Sequence, residues 1–438
     1  MPARHIVVVG AGIVGAASAY LLSQAGHRVT VLDAHAQPGQ GASRANGAQL
    51  SYSYVEPLAS PATLRALPGY LLSADSPLKL RLTADLDQWR WGWQFLRACR
   101  TAQVNATTEA LLALAARSRE ELHRALPALN PPFHHGKAGK LVVVASATGL
   151  QQAREQVARQ ARWGCRQEVL DTAACIAREP ALAGYARHVA GGVWTESEEV
   201  GDCHLACQAL LAASQSMGAQ LRLEHRVTGW STSGDRLLAA RTPQGDVQAD
   251  AFVLASGVDA VALARPLGLR LPLTPIKGYS VTLPLADPDR APQVSVTDLR
   301  RKLVYARLGG HLRVAGMAEL VGPDLQIDPD RIRFLRDAVE ETFAGAVDPK
   351  ADPQAWAGLR PATPTGLPLI GRCGPRNLFL NVGQGALGWT LALGSARLLA
   401  NAVADASDAL AEPFAPHRSV ASHRPMPTGH RPIPSPHR

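Results

Sequence analysis

The chain has 438 residues, with 45 Lys+Arg against 36 Asp+Glu and 46% hydrophobic content, which excludes a disordered, fibrous or low-complexity protein and allows two or three domains around a large core. Part of the formal charge of +9 sits in residues 413 to 438, which hold four Arg, seven Pro and no acid. The remaining Arg are spread along the chain with no cluster interleaved with aromatics, so nucleic-acid binding is not expected.

The chain opens on MPARHIVVV, which lacks the apolar core of a secretion signal and leads straight into a short strand over residues 5 to 9. Gly10-Ala11-Gly12-Ile13-Val14-Gly15 follows, then a helical pattern closed by Gly26, then the strand RVTVLD ending at Asp33. Strand before, helix after and acid at the next strand end together give the glycine motif the context of a dinucleotide site. Each position has its reason: Gly10 permits the tight turn, Gly12 lets backbone approach a pyrophosphate, and Gly15 lets helix pack on strand. The helix N-terminus holds the phosphates, and Asp33 accepts from a ribose hydroxyl, which suits an adenosine without a 2′-phosphate.

Beyond Asp33 the chain departs from a nicotinamide enzyme, giving a loop of Gly and small polar residues from Gly39 to Gly47. Residues 61 to 130 read as an inserted run of helices. Within them, DQWRWGWQFLRACR (87 to 100) puts Trp89, Trp93 and Leu96 on one helical face and Trp91 and Phe95 on another, which reads as core packing or as an interfacial patch. From 139 onward GKLVVVAS, GGVWTES, IKGYSVTLP, QVSVTDL and the pair LVYARL-GG-HLRVAG suggest an antiparallel sheet with a hairpin at Gly309-Gly310. A helix over 202 to 217, a strand at 220 to 224, the buried strand within 249 to 257 and the strand-turn-helix of 377 to 403 belong with the first domain. Arg397 and Gly394 interrupt the longest apolar segment, which therefore reads as a packed helix and not a membrane span. The six Cys form no C-x-x-C; Cys203, His204 and Cys207 come nearest to a metal cluster, but without a second ligand pair no metal is assigned.

The expected fold is α/β. A discontinuous Rossmann-like dinucleotide domain (1–50, 196–260 and 356–405) is interleaved with a substrate domain of antiparallel sheet plus helices (51–195 and 261–355). A Pro/His/Arg-rich tail over 406–438 is expected to be disordered, with His417, His423, His430 and His437 each followed by Arg.

Several segments in one order carry a family resemblance: the Gly10 to Gly15 turn, GASRANGAQLS (41 to 51), GGVWTESEEVGDC (191 to 203), PIKGYSVTLP (275 to 284), RVAGMAE (313 to 319), WAGLRPATPTGLPLIG (356 to 371) and NLFLNVGQGALGWT (377 to 390). The chain resembles the FAD-dependent amino-acid oxidoreductases of the D-amino-acid oxidase type, and among them the bacterial D-amino-acid dehydrogenase small subunits, from residue 5 to about 405. The resemblance implies FAD and oxidative deamination of D-amino acids to 2-oxo acids and ammonia. It implies electrons leaving to a quinone or other respiratory acceptor, and a cytoplasmic protein in peripheral contact with the inner membrane. By that similarity Gly10, Gly12, Ile13, Val14, Gly15, Asp33, Ser43, Asn46 and Gly47 contact the phosphates and ribose of FAD, and Val227 and Gly257 also contact it, Val227 at the adenine end. Gly383, Gly385, Leu387, Gly388, Trp389 and Thr390 lie near the flavin. Arg360, in Gly-Leu-Arg-Pro, matches the arginine that grips the substrate carboxylate. The chain departs at Gln384, where the dehydrogenases read His and where Gln cannot titrate near neutrality, and at Thr365, where Asp is usual.

Amino-acid oxidation passes the α-hydrogen as hydride to flavin N5, so the site must supply orientation more than acid–base chemistry. Arg360 suits this through bidentate hydrogen bonds to a carboxylate. Tyr279 reads equally as a binding hydroxyl or a buried strand aromatic. Tyr305 and Arg307 share a strand face and line the pocket together or not at all. Gln384 completes the candidate catalytic set. An oxygen-using oxidase of glycine, sarcosine or a cyclic imino acid would share Arg360 and FAD, and an RNA-modifying flavoprotein would need the basic cluster that the sequence does not offer.

Overall fold

The run HIVVV becomes the strand His5–Val9, apolar and buried from Ile6 to Val9 because both faces of a central parallel strand are covered. It lies between Arg28–Leu32 and Ala251–Leu254 in a six-stranded sheet, ordered Leu369–Arg372, Leu378–Val382, Ala251–Leu254, His5–Val9, Arg28–Leu32, Gln220–Arg222, with only Leu369–Arg372 antiparallel. The computed structural model describes residues 3–65, 78–81, 84–130, 132–416 and 420–422. Helix Ile13–Gln24 is buried nearly all round, between this sheet and helices Cys203–Ser216 and Gly388–Val403. Gly15 makes that possible: a Cβ there would sit 1.9 Å from the Gly10 carbonyl oxygen.

A second sheet of nine strands runs Gln354–Ala362, Thr274–Pro284, His311–Leu320, Leu303–Leu308, Ser295–Asp298, Lys140–Val144, Gly191–Thr195, Glu168–Leu170, with Leu78–Leu80 added beside His311–Leu320. One of its faces is covered by helix Pro329–Thr342, whose Leu335, Ala338 and Val339 join the core beneath the strands. Its other face turns toward the first domain. There Ser280 Oγ donates to the Ala45 carbonyl at 2.6 Å, and the Arg313 guanidinium reaches Asp202 at 3.1 Å. Asp202 is also the N-cap of Cys203–Ser216, so one carboxylate closes a helix and fastens the two domains.

Three expected boundaries move. Residues 356 to 362 were assigned to the dinucleotide domain, but Gln354–Ala362 pairs along its whole length with Thr274–Pro284. Helix Thr101–Ala125, assigned to the substrate domain, instead packs on Gly388–Val403. Gly394 allows this crossing, since a Cβ would meet the Leu114 carbonyl at 2.6 Å, and Arg397 makes a two-armed ion pair with buried Glu121 at 3.0 and 2.8 Å. The tail begins later than 406: Phe414 is buried in the first core, and Asp408 accepts from Arg117 and Asn401. Ala421–Ser422 pairs with Leu269–Arg270, while residues 417–419 and 423–438, including the four tail His, lie outside the described residues.

On helix Leu86–Ala98, Trp91 is buried and donates to the Ala362 carbonyl at 2.9 Å, and it stacks on Phe95. Trp89 and Trp93 face out, 55% and 62% exposed. No helix among the described residues is long and apolar enough to cross a membrane.

Removing one partner of a buried ion pair strands the other charge. Glu121→Ala should therefore cost about 2–3 kcal/mol, discounted for the partial exposure of Arg397, and show as a lowered thermal midpoint; an unchanged midpoint would contradict this anchoring of the helix layer.

Candidate functional site

The two sheets enclose a cavity of about 990 Å³, at the upper end for a ligand pocket. One end is built by the glycine turn. Gly10 holds φ +108°, and a Cβ would lie 2.6 Å from the Ala255 carbonyl, so only glycine fits. Gly12, Ile13 and Val14 line the cavity at the start of helix Ile13–Gln24, whose first turn carries no acid. Of the helix N–H groups without intrahelical partners, that of Ile13 donates to Ser43 Oγ at 3.0 Å. Asp33 accepts from the Ala11 N–H at 2.6 Å and from the His35 backbone and ring at 2.9 Å each, leaving lone pairs for a hydroxyl. Val227 and Gly257 are on the same wall, while Gly15 is not and serves helix packing.

Asn46 and Gly47 lie further along, under the second sheet; a Cβ on Gly47 would meet Val304 at 2.8 Å. Gly385, Leu387, Gly388, Trp389 and Thr390 form the facing wall at the N-terminus of Gly388–Val403. Gly383 does not line the cavity as expected: its φ of +88° and the Thr363 methyl 2.7 Å from a would-be Cβ make it a packing glycine. Gln384 does line it, donating to Asn381 Oδ1 at 2.7 Å, and Asn381 donates to Ser18 at 3.0 Å.

Arg360 crosses the second sheet into the cavity. Its guanidinium lies over Gly278, where a Cβ would sit 2.3 Å from Nη2. It donates from Nη1 to the Met317 carbonyl at 2.8 Å. Met317 has φ +65°, at a bulge where residues 277 to 279 oppose 316 to 319, and this re-aims its backbone. Among the described residues no carboxylate pairs with Arg360, and enclosure in protein lowers its pKa to about 10. Its remaining N–H groups face the cavity.

Three candidate residues point elsewhere. Tyr279 touches the cavity wall, but its hydroxyl turns away and donates to Glu319 at 3.0 Å in the core beneath the sheet, and burial with that carboxylate raises its pKa. Tyr305 is fully buried on the same side, 5.2 Å from Phe343 between ring centres, with Thr342 Oγ1 at 3.3 Å. Arg307 shares its face and donates to the Pro288 carbonyl at 3.2 Å. Strand alternation is the reason: Gly278 and Val304 take the cavity side, so their neighbours face helix Pro329–Thr342.

Sequence reasoning missed a polar group on the cavity wall. Lys140 opens the buried strand Lys140–Val144 and donates to Ser51 Oγ at 2.8 Å, with its ammonium 4.5 Å from the centre of the Tyr54 ring. Burial lowers Lys140 to about 8 and raises Tyr54 to about 12. Glu56 is also on this wall, its pKa raised by burial. Glu198 lies behind, accepting from the Ser53 N–H at 2.7 Å, its pKa also raised by burial. A charged residue opening an otherwise apolar strand was the available signal. Outside the cavity, His123, His135 and Glu199 bring donor atoms within 4.8 Å of one another. The Glu199 carboxylate is already engaged by both His and Tyr52, with Arg119 3.5 Å away. Burial pushes Glu199 up, but the two His outweigh this and bring it down to about 2.

The family model described as FAD dependent oxidoreductase matches residues 5–402. The chain is 46% identical over 418 residues to D-amino acid dehydrogenase 2 of Ralstonia nicotianae, covering 93% of this chain and 98% of that one. It is 43% identical over 404 residues to D-amino acid dehydrogenase 2 of Pseudomonas aeruginosa, covering 92% and 95%. Glycine oxidase from Geobacillus kaustophilus shares the fold, with TM-score 0.71 at 21% identity over 95% of this chain and 98% of that one. L-proline dehydrogenase from P. horikoshii does so with TM-score 0.72 at 18% identity, covering 95% and 98%.

The cavity fits FAD on its own features: a glycine cradle that a Cβ would fill, a helix N-terminus free of acid, and a carboxylate at the end of the second strand. Gly12→Val would put two methyl groups where backbone must approach the pyrophosphate. The purified variant should carry little FAD by its flavin-to-protein absorbance ratio; full flavin content would remove this turn from the cofactor site.

Proposed function

We propose that this chain, which belongs to the FAD dependent oxidoreductase family and is an FAD-dependent amino-acid dehydrogenase, oxidises D-amino acids to 2-oxo acids and ammonia and passes the electrons to a membrane quinone. The observation that carries the reading is Arg360, an enclosed guanidinium with its donors facing the cavity and no carboxylate of its own. Such a group calls for an anion, and its planar fork matches a carboxylate. The D-configuration rests on the names of the curated relatives.

Bound FAD would supply the two-electron acceptor for the hydride that leaves Cα as the amine lone pair closes to a C=N bond; the iminium so formed takes up water to release ammonia and the 2-oxo acid. Gly10, Gly12, Ile13, Val14 and Ser43 would hold the phosphates, Asp33 the ribose, and Val227 and Gly257 the adenosine side. Asn46, Gly47, Gly385, Leu387, Gly388, Trp389 and Thr390 would hold the flavin end. Arg360 would fix the carboxylate and so anchor Cα at one point in the cavity. The Met317 carbonyl and the bare Gly278 hold Arg360 in that pose. Gln384, locked by Asn381, offers a hydrogen bond without a proton to exchange near neutral pH.

The acceptor reading is supported by helix Leu86–Ala98, with Leu86, Trp89, Trp93 and Leu96 exposed. It is fastened through Trp91 to Ala362, on the strand that carries Arg360. Leu58 and Leu325, also exposed, belong to the cavity wall itself. An apolar, tryptophan-rich face of this kind suits peripheral seating on the inner membrane from the cytoplasmic side.

Arg360→Ala should raise KM for a D-amino acid by about a hundredfold or more with the flavin spectrum unchanged, and Gly278→Ala should push KM the same way by displacing the guanidinium. An unaltered KM in both variants would take Arg360 out of the substrate site. Replacing Trp89 and Trp93 together by Ser should reduce the protein that sediments with phospholipid vesicles and slow quinone reduction, with reduction of a soluble dye preserved. Equal sedimentation would locate the membrane contact elsewhere.

A further inference from the structure

The cavity holds a second cation, this one fully buried, that the proposed chemistry leaves unused. Lys140 is 2% exposed and lines the cavity with Arg360. An ammonium has three donors. One goes to Ser51 Oγ, and the Tyr54 ring takes up part of the charge on one side. Among the described residues no carboxylate comes within ion-pair distance of it; Glu198, whose Oε1 accepts from the Ser53 N–H, attracts it from further away. Even with its pKa lowered to about 8 by burial, Lys140 is mostly charged at neutral pH. Glu56 stands on the same wall, its pKa raised by burial.

The position of Lys140 separates it from the phosphates of FAD. Those would be held at the Gly12–Val14 turn, whereas Lys140 is joined through Ser51 to the wall that would hold the flavin end. The Ser51 N–H donates to Thr390 Oγ1 at 3.0 Å, in the first turn of helix Gly388–Val403. The substrate α-carboxylate belongs to Arg360, so an anion at Lys140 must come from elsewhere on the substrate. We propose that Lys140, seated on Ser51 and Tyr54, is a specificity residue that recognises a side-chain carboxylate, making D-amino acids with acidic side chains the preferred substrates. This rests on the amino-acid oxidation proposed above and names its substrate class.

The test compares D-glutamate with D-glutamine, which differ only in charge and hydrogen bonding at the side-chain end, by kcat/KM with D-alanine as the reference. The wild type should favour D-glutamate over D-glutamine roughly ten- to hundredfold, the range of one charge-assisted hydrogen bond. In Lys140→Met, checked for flavin content, that ratio should fall to about one. A wild-type ratio near one, or a ratio that survives Lys140→Met, overturns the assignment. Turnover of D-alanine without preference for D-glutamate refutes this inference alone, whereas turnover of no D-amino acid refutes the oxidation reading on which it stands.

Discussion

Drawing a guanidinium partly out of water without a carboxylate costs free energy, because the charge gives up hydration and receives only partial compensation from dipoles. The geometry around Arg360 shows how the fold sustains it. The bulge at Met317 offers a carbonyl to one arm, and the missing Cβ at Gly278 leaves room for the group to lie flat across the strand. These features make sense together if the remaining donors await an anion. Arg360, Gly278 and Met317 stand on three neighbouring strands of the second sheet, and the first domain supplies the wall that closes over them.

Discontinuity in sequence follows from that requirement. A cofactor cradle made by one sheet and a substrate wall made by another must share a cavity, and the chain passes between them several times. The joints are specific. Ser280 donates to Ala45 beside the cofactor loop, and Arg313 reaches Asp202 at the cap of a first-domain helix. Each ties the walls together near the cavity, where a shift of the second sheet would misplace Arg360 relative to the cofactor cradle.

Local features were legible in the sequence. The glycine turn, Asp33, and the strand-turn-helix around Gly388 owe their form to backbone requirements that only certain residues meet. Arg360 was legible through the family resemblance. The facing of Tyr279, Tyr305 and Arg307 was not, because alternation says which residues share a face but not which face meets the cavity when both are covered. Helix Pro329–Thr342 decides that, and nothing in the alternation of the strands says which face the helix will cover. Helix Thr101–Ala125 was misassigned for a related reason: its buried stripe was readable, but its partner Gly388–Val403 lies at the far end of the chain. Lys140 escaped notice because its partners, Ser51 and Tyr54, come from another segment.

The most direct test of the central claim is anaerobic addition of D-alanine or L-alanine to the purified flavoprotein, following the flavin absorbance. Bleaching by the D-enantiomer, with the L-enantiomer inert, is the predicted result for a carboxylate clamped by Arg360 and the configuration in the relatives' names. Bleaching by the L-enantiomer, or by neither while flavin is bound, would contradict it.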